Sequence, residues 1–159
     1  MKTLLVYYSN RSLVRSMCEA SAMADVDVLQ LHPRYQKRPV LDAAADCYRA
    51  ITGKGTRLVL PEFTLAEYDN IVLVGSLCAL SLSPELNEFL FRCNLGGRDV
   101  HCIACNRFRF FGRSGTALRK RVRLAGGVCR SVTYLSEAGL ARENANVGII
   151  ALQATTKLV

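Results

Sequence analysis

The chain has no tryptophan, only two histidines, and no apolar run that approaches the ~20 residues a membrane-crossing helix needs. The missing run excludes a helical membrane span. Leu4 to Tyr8 is too short, and too promptly followed by polar residues, to be the core of a signal peptide. The two imidazoles, His32 and His101, offer little to a metal, and His101 falls in an expected strand, where a hydrogen-bonded structural histidine is the usual case. No metal site is expected. No Ser/His/Asp or Cys/His spacing stands out, and the loops that matter below carry no paired carboxylates, which disfavours hydrolytic chemistry. Acid is also missing from one long stretch: Val100 to Ser136 holds no Asp or Glu, while Arg107, Arg109, Arg113, Arg119, Lys120, Arg121, Arg123 and Arg130 all fall within it.

What is present fits one soluble, cytoplasmic domain spanning residues 1–159, without a linker. At 159 residues a chain buries roughly 70% of its unfolded surface, enough for a core that needs no staples. The seven cysteines are odd in number and mostly lie within apolar stretches, as reduced thiols do, so no disulfide framework is expected. Cys102-Ile103-Ala104-Cys105 has the two-residue spacing of redox and metal motifs, but it ends a buried strand and no second pair stands at ligand spacing. The net charge of +8 favours anionic partners and says little about fold. The basic stretch reads either as a solvated helix face or as a surface at Arg107, Arg109, Arg113, Arg119 and Arg123 for an anionic ligand or an acidic redox partner. Nucleic acid and membrane are not expected partners.

Strands and helices alternate. Lys2 to Ser9 reads as a buried strand, followed by a helix from Ser12 to Ala24. Val26 to Leu31 has a period of two, suited to a sheet edge. Leu41 to Thr52 is helical in composition and is broken at Gly53-Lys54-Gly55. Asn70 to Val74 is nearly continuous in apolar residues, as a central strand covered on both faces would be. Pro84 to Cys93 forms a helix capped by Ser83, with Glu85 and Glu88 near its positive end. Asp99 to Ala104 is a strand, Ser114 to Leu124 a basic helix stopped by Gly126-Gly127, and Cys129 to Leu135 the fifth strand. A short closing helix is expected in the last twenty-four residues. The pattern implies a three-layer α/β fold, a doubly wound five-stranded parallel sheet in the order 2-1-3-4-5. In such a sheet ligands bind beyond the carboxyl ends of the strands, where the order reverses. Three segments therefore converge: Ser9 to Arg15, Gly75 to Ser83, and Cys105 to Gly115.

The amino-terminal strand with Tyr7-Tyr8-Ser9, and the loop-helix after it, resemble the flavodoxin family. So do Asp42 to Lys54, with Cys47-Tyr48-Arg49-Ala50 and Gly53-Lys54, and Glu67-Tyr68-Asp69 leading through an apolar strand to Gly75. The resemblance covers about residues 1–135. It implies electron transfer by bound flavin mononucleotide (FMN), with Ser9, Asn10, Arg11, Ser12 and Arg15 around the phosphate. Leu77, Cys78, Ala79, Cys105, Asn106, Arg107 and Phe108 would then lie around the ring.

The departures fall at that site. The family's first loop is of Thr-Gly-Asn-Thr type, and Arg11, Ser12, Leu13 and Val14 occupy those places. Ser12 replaces the glycine that allows close backbone approach, and Leu13 and Val14 bring apolar bulk where an amide and a hydroxyl are expected. Arg11 and Arg15 could compensate through charge-assisted bonds, or could fill the pocket or point to water. In the second loop Cys78 and Ala79 stand where an aromatic ring normally stacks on the flavin, a contribution of about 0.5–1.5 kcal/mol beyond area burial. Cys78 is either a reactive thiol or a small packed residue. In the third, Gly112-Arg113-Ser114-Gly115 keeps three of four residues of a Gly-Gly-Ser-Gly-like stretch. Phe108, Phe110 and Phe111, interleaved with arginines, could stack on a base or flavin, or cover a vacated cleft. Two functions remain open: an FMN-dependent carrier or small reductase, and a flavin-free flavodoxin-like binding module that uses its basic face.

Overall fold

The computed structural model describes residues 2–10, 12–22, 25–36, 41–78, 81–106 and 114–136. The closing helix expected in the last twenty-four residues lies outside them, apart from Ser136 at the end of the last strand.

In chain order the elements are β1 (Thr3–Tyr8), α1 (Ser12–Ala20), β2 (Val26–Gln30), β3 (His32–Pro33), α2 (Leu41–Thr52), β4 (Leu58–Val59), a 3-10 turn (Leu65–Glu67), β5 (Asn70–Cys78), β6 (Ser81–Leu82), α3 (Pro84–Arg92), β7 (Asp99–Asn106), α4 (Ser114–Leu124) and β8 (Val128–Ser136). Five of the strands form a parallel sheet in the order β2-β1-β5-β7-β8, which is the expected 2-1-3-4-5. The apolar run predicted to be central, Asn70 to Val74, lies in its middle.

Alternation along the strands divides the core in two. Leu4, Val6, Ile71 and Leu73 face α3 and α4, where Leu86, Phe89, Leu90, Leu118 and Val122 cover them. Leu5, Tyr7, Val72, Val74 and Ile103 face the other way, against Val14 and Cys18 of α1. The layers are thus helix, sheet and helix.

The helix ends follow local chemistry. α1 stops at Ala20 rather than Ala24, because Ser21 turns its backbone N–H to the Cys18 carbonyl and its hydroxyl to the Met17 carbonyl. Beyond α2, Gly53 has φ +75°, its N–H bonds to Ala50 and that of Lys54 reaches back to Arg49, the crossed pair of bonds that a left-handed glycine permits. Gly126, at φ +79°, and Gly127 close α4 in the same way, onto Arg123 and Val122. Ser83 caps α3, accepting from Leu86 N–H, with Pro84 in its first turn.

Several strands outrun or fall short of expectation. β2 ends at Gln30, one residue early. β5 continues past Val74 to Cys78, because Gly75 and Ser76 pair with Ala104 and Cys105, and Leu77 and Cys78 then pair antiparallel with β6. β7 accordingly extends to Asn106, and β8 runs from Val128 to Ser136. The two-residue antiparallel ladder of β3 with β4 has no counterpart in the sequence reading.

Candidate functional site

The parallel register aligns the strand ends: Tyr8 with Gly75, Ser76 with Cys105, and Asn106 with Ser136. The three predicted segments therefore do converge at the carboxyl edge, where β1 and β5 lead away to opposite sides. Among their described residues, Gly75 to Cys78 and Cys105 to Asn106 are strand where a loop was expected, while Ser12 to Arg15 and Ser114 to Gly115 lie in the helices expected to start at Ser12 and Ser114.

In the first segment, Ser9 is 3% exposed and Asn10 is exposed, accepting the Tyr8 hydroxyl at 2.8 Å on its side-chain oxygen. Ser12 and Arg15 are exposed residues of α1, the helix expected to start at Ser12. Val14, expected to intrude on the phosphate position, is instead 1% exposed and packed beneath α1 with Tyr7 and Val74. Only Leu13, at 40% exposure, presents apolar bulk to the outside. Arg11 lies outside the described residues.

The second and third segments each begin with a strand end. Leu77 and Cys78 close β5, while Cys105 and Asn106 close β7. Gly75 has no room for a side chain, because a Cβ there would run into Leu86 of α3. Ala79, Arg107, Phe108, Arg109 and Arg113 lie outside the described residues.

Ser76 was not singled out in the sequence. It stands two residues beyond Val74 and beside Cys105, so it shares the α1 face of the sheet with Val74, Ile103 and Cys105. Ser9 stands two beyond Tyr7 on the same face. The Ser76 hydroxyl is buried and has no hydrogen-bond partner among the described residues. A buried polar atom left unpaired costs about 1–3 kcal/mol, so this hydroxyl has a bond to offer to a water or to a polar ligand atom. Strand alternation past Gly75 was the signal that could have found it.

The cysteines fall into separate environments, and none of the seven is in a disulfide. Cys102 and Cys105 face opposite sides of the sheet, so the Cys102-x-x-Cys105 spacing brings no dithiol together. Cys105 neighbours Cys18, whose thiol is pushed up to about 12, chiefly by burial and further by Cys105. Cys102 lies with its sulfur 4.0 Å from that of Cys129. Sharing that hydrogen bond holds the Cys129 thiol below its ordinary range, with help from Arg119, and raises Cys102. Cys47 of α2 and Cys78 of β5 bring their sulfurs to 3.6 Å.

His101 is 2% exposed with Nδ1 2.8 Å from Ser131 Oγ, the structural role expected of it. Among the described residues no group of three or more His, Cys, Asp or Glu side chains is placed to hold a metal ion. No helix there is long and apolar enough to cross a membrane. The basic stretch is less uniform than its sequence. Arg130 pairs with Asp99 at 2.8 Å and Arg119 donates to the Cys129 carbonyl at 3.1 Å, while Lys120 and Arg123 are exposed on α4.

No family model matches the chain, and no curated protein matches it in sequence. Solved structures do match in fold. A flavoprotein from Lactobacillus acidophilus, in complex with FMN, superposes with a TM-score of 0.72 at 12% identity, over 91% of this chain and 99% of that one. Flavodoxin 2 from Bacillus cereus gives 0.54 at 17%, over 99% and 100%. The general stress protein 14 of Treponema denticola, also in complex with FMN, gives 0.53 at 14%, over 98% and 97%. At these identities the likeness is one of fold, and the fold is flavodoxin-like.

Proposed function

We propose that the chain binds FMN at the carboxyl edge of its sheet and serves in electron transfer. The observation that carries this reading is the buried Ser76 hydroxyl, without a partner among the described residues, near the carboxyl end of β5, the strand that pairs with the one leading into α1. The amino-terminal end of α1 offers backbone N–H groups and a positive dipole to an anion. Ser9 and Ser12 add hydroxyls, Asn10 an amide, and Arg15 a guanidinium on the first turn. Leu77, Cys78 and Asn106 then edge the ring, without the stacked aromatic that tryptophan would supply, while Cys105, expected there too, is buried in the core. FMN, when bound, supplies the chemistry of one- and two-electron transfer. The protein positions it and excludes water from one side. Two of the structures it resembles in fold, the Lactobacillus acidophilus flavoprotein and the Treponema denticola general stress protein 14, were solved in complex with FMN, which supports this choice of ligand.

Titration of the protein with FMN, followed by quenching of flavin fluorescence, tests the reading. Saturable binding near micromolar, about −8 kcal/mol, is expected, and Ser76→Val should weaken it about tenfold, roughly the worth of one hydrogen bond. No quenching would favour the second reading, a flavin-free module that takes an acidic partner. The observation favouring that alternative is the exposed Leu13 on the phosphate side, together with the solvent-facing Lys120 and Arg123.

A further inference from the structure

We propose that Cys47 and Cys78 form a redox-active dithiol that closes to a disulfide by exchange with low-molecular-weight disulfides. The two sulfurs lie 3.6 Å apart although the residues are 31 positions apart in sequence. One is carried by α2 and the other by the last residue of the central strand β5, so two different layers of the fold bring them together. A disulfide bond is about 2.05 Å long, so closing it needs an approach of about 1.5 Å, which side-chain rotation can supply when the backbones already face one another.

Two half-buried thiols with their sulfurs this close set the pair apart from the other cysteines, of which Cys93 and Cys129 are also half-buried. Cys47 and Cys78 are both half-buried, within reach of a small solute. Cys18, Cys102 and Cys105 are buried, and Cys102 and Cys129 stand further apart, at 4.0 Å. Neither Cys47 nor Cys78 is needed to fill the core, since neither belongs to either apolar cluster.

The step balances as thiol–disulfide exchange. One of the two cysteines, as its thiolate, attacks a sulfur of the small disulfide, forming a mixed disulfide and releasing one thiolate. The second cysteine, deprotonated in turn, attacks the mixed disulfide and releases the second. Two protein S–H bonds become one S–S bond, the small disulfide is reduced to two thiols, and the two protons end on them. The product ties α2 to the end of β5, where β5 turns into its pairing with β6, so the sheet edge responds to thiol status. The couple does not depend on flavin.

The test uses the full chain, flavin-free and fully reduced, equilibrated with glutathione over a range of oxidised-to-reduced ratios. Remaining thiols are then alkylated and the peptides mapped by mass. The expected result is a ratio-dependent loss of two thiols together with a Cys47–Cys78 cross-linked peptide. Cys47→Ser and Cys78→Ser should each abolish the cross-link, while Cys102→Ser keeps it, with circular dichroism checking that the variants fold. Should a variant fail to fold, the peptide map of the unaltered chain still decides. Glutathione held only as mixed disulfides, or a Cys102–Cys129 cross-link in its place, would overturn the proposal. Repeating the titration with FMN present separates the two readings, because failure to bind flavin leaves the thiol count of the flavin-free protein as it was.

Discussion

His101 shows how a residue's surroundings set its chemistry. Burial in β7 lowers its pKa from the ordinary 6.5, Asp99 opposes that shift and Arg130 adds to it. The unfolded chain therefore takes up a proton near pH 6.5 that the folded chain refuses. Stability is full above that pH, falls as the pH drops from 6.5 towards the depressed folded value, and levels off below it. Each unit of depression is worth about 1.4 kcal/mol. In urea melts between pH 7 and 5 the midpoint should fall with pH, and His101→Gln, which can keep a bond to Ser131, should flatten that fall. An unchanged slope in the variant would mean that other groups carry it. At this scale the sequence was a mixed guide. It marked His101 as structural, but it placed Val14 on the wrong side of α1, because a one-residue rotation of a helix start decides whether an apolar side chain meets core or ligand. It also passed over Ser76, whose significance depends on strand pairing beyond Gly75.

Among the elements, α3 separates packing from capping. Phe89 is fully buried and its ring stacks on Phe63 with centroids 6.1 Å apart. Phe89→Ala should cost about 3–5 kcal/mol. The Ser83 cap accepts from Leu86 N–H at 3.5 Å, a long bond, so Ser83→Ala should cost about 0.5–1 kcal/mol, the lower end for a lost cap. Urea denaturation of the two variants measures both, and near-equal losses would contradict the ordering. Elements with strong local signals were legible in advance: α2 and α4 end at glycines that the sequence displays, and β5 announces itself by its apolar run. The two-residue strands β3, β4 and β6 were not legible. Two residues carry no periodicity, and their pairing is decided by whatever backbone lies opposite them in the folded chain.

For the whole molecule the governing quantity is the net charge of +8. A field of that sign draws anions towards any site on the protein, but mobile ions screen it over about 8 Å at physiological salt. FMN and riboflavin differ by the phosphate alone, so they separate this field from contacts with the ring. FMN affinity should fall several-fold as salt rises from low to high, while riboflavin affinity stays flat. Within that dependence, near and distant charges act differently. Arg15 lies on the first turn of α1, where its contact with phosphate would be local, so Arg15→Ala should weaken FMN at every salt concentration. Lys120 and Arg123 lie on α4, across the sheet from α1. Their double replacement by Ala should slow FMN association at low salt and lose its effect at high salt, because steering by remote charge is what screening removes. Stopped-flow fluorescence at two salt concentrations reads both variants. If the α4 variant instead lowered affinity equally at both, the basic helix would be in direct contact with the ligand, and the binding edge would have to be moved from the start of α1 to the α4 side of the sheet.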